Sequence, residues 1–190
     1  MSTNTIWITN YVALRNKYGQ AGAKKIWNAL NTTGGDKRIN LANPGAAKFP
    51  AVTNPTDAKQ NKNAIDGIYA EYEPNYIAIV GAPDVVPFQR LRNLTGDEDG
   101  PWVPSDLPYA CSAKYSTVPS NFRAPTRVVG RVPDLVGGND ADYLVNLLNA
   151  AKNAVSRPAD DYMKYLGISA KVWSGSTKMS LGNIFGDSSS

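Results

Sequence analysis

The chain has 190 residues, of which 42% are hydrophobic and 19% charged, with a net charge of +4, one cysteine and no histidine. One cysteine allows neither an internal disulfide nor a thiolate metal centre, and without an imidazole the chain cannot by itself build Ser-His-Asp or Cys-His catalysis, the usual zinc sites or a histidine proton shuttle. The basic residues are scattered singly or in pairs such as Lys24-Lys25 and Lys37-Arg38, so no nucleic-acid partner is expected, and no apolar run approaches the ~18–20 residues that span a bilayer, so no membrane partner is expected either. The N-terminus lacks a basic n-region and a long apolar h-region, and the default expectation is a soluble cytoplasmic protein.

Thr5 to Thr9 is a short β-prone run, followed by Asn10 as a helix N-cap. Tyr11, Leu14 and Tyr18, then Ala23, Ile26, Trp27 and Leu30, fall at helical spacing on either side of Gly19, which predicts one or two helices. Lys37 to Leu41 reads as a short second strand, and the proline-containing stretch from Ala42 to Pro55 as a surface loop. Thr56 or Asp57 caps the next helix, whose apolar stripe is Ile65, Ile68, Tyr69 and Tyr72 and which Pro74 ends.

The run Tyr76-Ile-Ala-Ile-Val-Gly-Ala-Pro-Asp-Val-Val-Pro87 reads as a strand buried on both faces, as in the centre of a parallel sheet. From Phe88 to Thr126 no long periodic segment appears, so this length is either a site-forming excursion or holds a hairpin. Arg127 to Val132 is a further strand, and Asn139 and Asp140 cap a helix with Leu144, Leu147, Leu148, Ala151 and Val155 on its apolar face, stopped by Pro158. Tyr165 to Trp173 reads as a last strand with no helix after it to cover it. Strands alternating with helices predict an α/β protein with a mainly parallel sheet built from right-handed crossovers, and ligands then bind outside the carboxyl ends of the strands.

Gly81-Ala-Pro-Asp84 lacks the three glycines of a dinucleotide fingerprint, and Gly175-Ser-Thr-Lys178 holds phosphate-loop residue types in the wrong order. Neither supports a nucleotide cofactor. Asp97 and Asp99, between Gly96 and Gly100, are weak calcium candidates, because the further oxygens of a calcium loop are missing. Cys111 fits a small buried residue better than a nucleophile, which would need a base from outside the chain. Asp106 lies between Pro104-Ser105 and Leu107-Pro108-Tyr109, so flanking prolines restrict where its carboxylate points. Such an anion can pair with an Arg or Lys of a ligand, or it can cap a turn and tie its own loop to nearby backbone amides.

The segments Tyr76 to Pro87, Ser105-Asp-Leu-Pro-Tyr-Ala110 and Val128-Val-Gly-Arg-Val-Pro133, with a leucine-rich helix after them, together resemble the N-terminal half of the gingipain-like cysteine peptidases of the caspase-like group. The resemblance runs from about Ile6 to Trp173. It implies a caspase-like three-layer sandwich, incomplete at its C-terminal edge, with residues 1–190 forming the N-terminal part of one domain. The catalytic His and Cys are then expected on strands that follow, in a later segment or a separate chain, so that no residue of this chain is catalytic. Cys111 does not match the catalytic position. The resemblance also implies a substrate wall made of Asp106, Ser105 and Tyr109, with Asp106 in the place of the acid that lines the pocket of arginine-specific members. No metal or cofactor is implied.

Two functions follow as expectations. One is half of a cysteine endopeptidase, arising by proteolysis or autoprocessing and partnered by its C-terminal portion and a peptide or protein substrate. The other is a non-enzymatic α/β module that binds a peptide or protein through the loop around Asp106.

Overall fold

The computed structural model describes residues 5–30, 36–45, 49–95, 100–155, 157–163 and 167–186. They fall into two compact units, Met1–Lys152 and Asn153–Ser190. The first is an α/β unit with four parallel strands in the order β2-β1-β3-β6, where β1 is Thr5–Thr9, β2 Lys37–Asn40, β3 Tyr76–Val80 and β6 Val128–Val132. A separate antiparallel hairpin joins β4, Gln89–Arg92, to β5, Trp102–Ser105. The hairpin lies in the stretch without long periodicity, and it alternates cleanly: Gln89 and Leu91 are buried, Arg90 and Arg92 exposed.

Side-chain chemistry places the helix starts. The carboxamide of Asn10 accepts the Ala13 N–H at the head of α1, Tyr11–Ala29, and the Asp57 carboxylate accepts the Gln60 N–H at the head of α2, Ala58–Tyr72; each occupies an N–H that the helix leaves without an internal partner. Asp140 accepts the Asp142 and Tyr143 N–H groups at the head of α3, Ala141–Lys152. Gly19 departs from helical geometry at φ 68°, so α1 is two helical stretches joined at a kink, in line with the one or two helices expected. Glu73, at φ 42°, closes α2 in the left-handed conformation just before Pro74.

The core is built on both sides of the sheet. Ile6, Ile8, Ile77, Ile79 and Val80 from the strands meet Leu14 and Ile26 of α1, Ile65 and Ile68 of α2, and Leu144 and Leu148 of α3. The chain steps from β1 to β2 in one direction and from β2 to β3 in the other, so right-handed crossovers put α1 and α2 on opposite faces. α3 packs against α1, whereas α2 packs against β4 and a 3-10 turn at Leu107–Ala110.

Two expectations need correction. α3 ends at Lys152 rather than at Pro158, and Val155 is exposed, the buried positions of this helix running only from Leu144 to Leu148. In the second unit, Tyr165 and Leu166 lie outside the described residues, and the rest of the expected last strand is not a strand. Residues 167–170 have no regular structure, Lys171–Trp173 is a 3-10 turn, and Ser174–Phe185 is a helix, after a short α4 at Ala159–Tyr162 and hence α5. A Cβ on Gly167 would run into Leu181 of α5, so the segment folds back on its own helix, and that local packing replaces the ladder that a strand needs.

Candidate functional site

Two clusters of charged side chains meet at the carboxyl end of β3. After Val80 the backbone turns at Gly81, whose φ of 112° and proximity to Val85 exclude a side chain: a Cβ would lie 2.6 Å from Val85 Cβ. Here the ladder ends, and the freed backbone groups find other partners. The Thr9 hydroxyl donates to the Val80 carbonyl at 2.9 Å, and the Gly81 N–H donates to the Val132 carbonyl at 3.0 Å.

On one side stands Arg131 of β6. Its Nε and Nη2 donate to the two carboxylate oxygens of Asp106 at 2.7 and 2.6 Å, and its Nη1 donates to the carbonyls of Gly81 and Val86 at 2.7 and 2.9 Å. The guanidinium also lies 4.8 Å from the ring centre of Phe88, a cation–π arrangement. The segments Tyr76–Pro87, Ser105–Ala110 and Val128–Pro133 therefore meet on one side chain. Sequence reasoning missed Arg131. Its signal was an arginine inside an otherwise apolar strand, where a nearly buried charge needs a fixed partner.

On the other side is a second cluster, which the sequence also left unread. Lys17 of α1 donates to Asp84 at 2.8 Å and to the Leu135 carbonyl at 2.7 Å, and it pairs with Asp134 at 2.7 Å. Asp134, itself buried, further accepts the Tyr18 hydroxyl and the Ala82 N–H. Burial, followed by the hydrogen bond to Asp134 and that residue's charge, pushes the Tyr18 phenol well above its ordinary range. For Asp84, burial acts upward but is outweighed by the hydrogen bonds from Lys17 and the Gly137 N–H, which hold the carboxyl below its usual value.

The expected site residues divide. Ser105 holds the turn, with its Oγ accepting the Leu107 N–H at 3.0 Å. Asp106 ties its loop, not through nearby backbone amides but through the guanidinium of Arg131, 25 residues on. Tyr109 is fully buried in the core, donating its hydroxyl to the Pro87 carbonyl at 2.7 Å, and burial raises its pKa far above the usual phenol range. Cys111 is buried, and burial raises its thiol, which is the setting of an inert packing residue. Asp97 and Asp99 lie outside the described residues. Gly175 to Lys178 fall within the helix Ser174–Phe185.

Beneath the Tyr109 turn is a third cluster. Lys62 of α2 donates to both oxygens of Asp66 at 2.5 and 2.6 Å and to the Cys111 carbonyl at 3.0 Å. Arg127 donates to Asp66, to the same Cys111 carbonyl at 2.6 Å and to the Tyr109 carbonyl at 2.7 Å. Two cations share one carboxylate, and burial lowers the Lys62 pKa against the opposing pull of Asp66. The spacing of Lys62 and Asp66 was legible as an i, i+4 pair; that it faces inward was not.

Comparison of the chain with known protein families, characterised proteins and solved structures gave no match.

Proposed function

We propose that this chain is the scaffold and substrate-wall half of a gingipain-like, caspase-like cysteine endopeptidase, with the His and Cys supplied by a following segment or a separate chain. The observation that carries the reading is the meeting of Gly81, Asp106 and Arg131 at the carboxyl end of β3. Segments 50 residues apart in sequence are brought together, at the place where α/β sheets keep their ligands. The absence of histidine from the sequence is in keeping with a wall that waits for its dyad.

Among the described residues β6 pairs only with β3, so its other edge suits the further strands that such a peptidase requires. The added histidine then activates the added cysteine thiolate, backbone N–H groups hold the attacked carbonyl oxygen, and this chain orients the peptide.

The test is expression of the whole gene product, through to its own stop codon, with internally quenched peptides as substrates. Cleavage that iodoacetamide abolishes, and that is lost on replacing a cysteine encoded beyond Ser190, is the expected result. A gene product without a Cys and His pair, or one that leaves every peptide intact, overturns the proposal.

A second reading, a non-enzymatic peptide-binding α/β module, draws on the mutual pairing of the charges at the sheet end, which leaves the fold satisfied without a substrate. Saturable peptide binding to the gene product without cleavage is its signature.

A further inference from the structure

We infer that Asp106 is not a counter-ion for a basic substrate side chain, and that the wall it belongs to receives an uncharged, apolar one; this rests on the peptidase reading above. Both Asp106 oxygens are held by Arg131 in the parallel two-bond geometry that makes arginine–carboxylate pairs strong. Arg131 is itself fixed by the Gly81 and Val86 carbonyls and by the face of Phe88. Its side chain is 8% exposed, against 26% for Asp106.

An arginine from a peptide could reach Asp106 only by displacing this partner. The exchange replaces one guanidinium with another and strands Arg131 among carbonyls with no anion. Truncating one partner of a desolvated, hydrogen-bonded charge pair typically weakens an interaction by roughly thirtyfold or more. The incoming group also gives up translational freedom, which the built-in partner does not.

The surface next to Asp106 points the same way. Leu107, which follows it, lines a cleft of about 480 Å³ with Leu94, Phe122 and Pro125, and among the described residues that line it the charged side chain is Arg123. An apolar side chain gains from those walls, while a basic one meets a like charge. The occupant is therefore an apolar side chain of the substrate peptide, seated beside a charge-compensated Asp106.

Two measurements test this. On the present chain with ¹⁵N-labelled arginine, argininamide is titrated while the Arg131 Nε–H signal is followed; the signal should stay fixed. A saturable shift that disappears in Asp106→Asn overturns the inference. On the gene product, a peptide library varied at the residue before the cleaved bond should favour apolar residues. Asp106→Asn should lower stability yet alter the arginine-to-leucine ratio of kcat/KM by less than about threefold. A preference for arginine or lysine that falls roughly thirtyfold or more in Asp106→Asn, with leucine cleavage unchanged, overturns it. A gene product that cleaves nothing refutes the peptidase reading, and the argininamide titration still decides whether Asp106 is open to a guanidinium.

Discussion

Replacing Asp66 with Asn should destabilise the α/β unit far more than replacing Lys62 with Met, although the two residues are partners. The Lys62 side chain is 0% exposed, that of Arg127 2%, and both rely on a carboxylate that is 27% exposed. Asp66→Asn leaves two buried cations without an anion, a change that costs about 3–5 kcal/mol. For a unit of this size that lowers Tm by roughly 6–20 °C. Lys62→Met removes the surplus cation, keeps an unbranched stem of similar length, and leaves Arg127 paired with Asp66 and bonded to the Cys111 carbonyl; the result should lie within about 1 kcal/mol of wild type or above it. The pH dependence gives a second readout. Burial lowers the Lys62 pKa below 10.5, so between the folded value and 10.5 the unfolded lysine holds a proton that the folded one has released. Stability from this residue is therefore lowest below the folded pKa and rises as pH climbs through it, and Lys62→Met lacks that rise. Urea titrations followed by tryptophan fluorescence measure both effects. If Lys62→Met costs as much as Asp66→Asn, Lys62 is not a surplus charge and the reasoning fails.

Gly81→Ala should cost roughly 2 kcal/mol or more, from a strained positive φ and the collision with Val85, and should be seen as a lower Tm. Asp134→Ala removes the acceptor of Lys17, Tyr18 and the Ala82 N–H; a loss of about 2–3 kcal/mol is expected, with faster hydrogen exchange at the Ala82 amide than in wild type. Above pH 10 the folded chain keeps the Tyr109 proton that the unfolded chain loses, so stability should fall by about 1.4 kcal/mol per pH unit from this group. Tyr109→Phe should flatten that alkaline slope while costing about 1 kcal/mol at neutral pH, since the Pro87 carbonyl loses its donor.

The elements that could be read from the sequence are those whose cause is local. β3 was legible because Ile77, Ile79 and Val80 are buried in a central strand and the run is apolar throughout, and the caps Asn10, Asp57 and Asp140 because a short acceptor side chain acts within three residues. The hairpin was legible only as one of two alternatives with its strands unplaced, since β5 is four residues long and carries Pro104. The stretch after Tyr165 shows the opposite failure. Its alternation suits a strand, but alternation specifies only which side chains share a face; a ladder also needs a partner edge, and packing against Leu181 was available closer at hand.

The candidate site was legible as a place and illegible as chemistry, for one physical reason. Where β3 stops pairing, its backbone exposes a carbonyl at Gly81 and an N–H at Ala82, and buried backbone groups need partners. Arg131 supplies the donor for one and Asp134 the acceptor for the other. Each brings a charge that needs its own counter-ion, Asp106 on one side and Lys17 on the other. The charges at the sheet end are thus accounted for by the need to finish the sheet, before any ligand is considered. Flanking prolines marked Asp106 as a carboxylate of fixed direction and left open whether it faces a ligand or its own loop. What fixes its direction is a guanidinium whose first duty is to the end of β3, and a substrate-selecting role for this end of the sheet has to come from the largely apolar surface beside it.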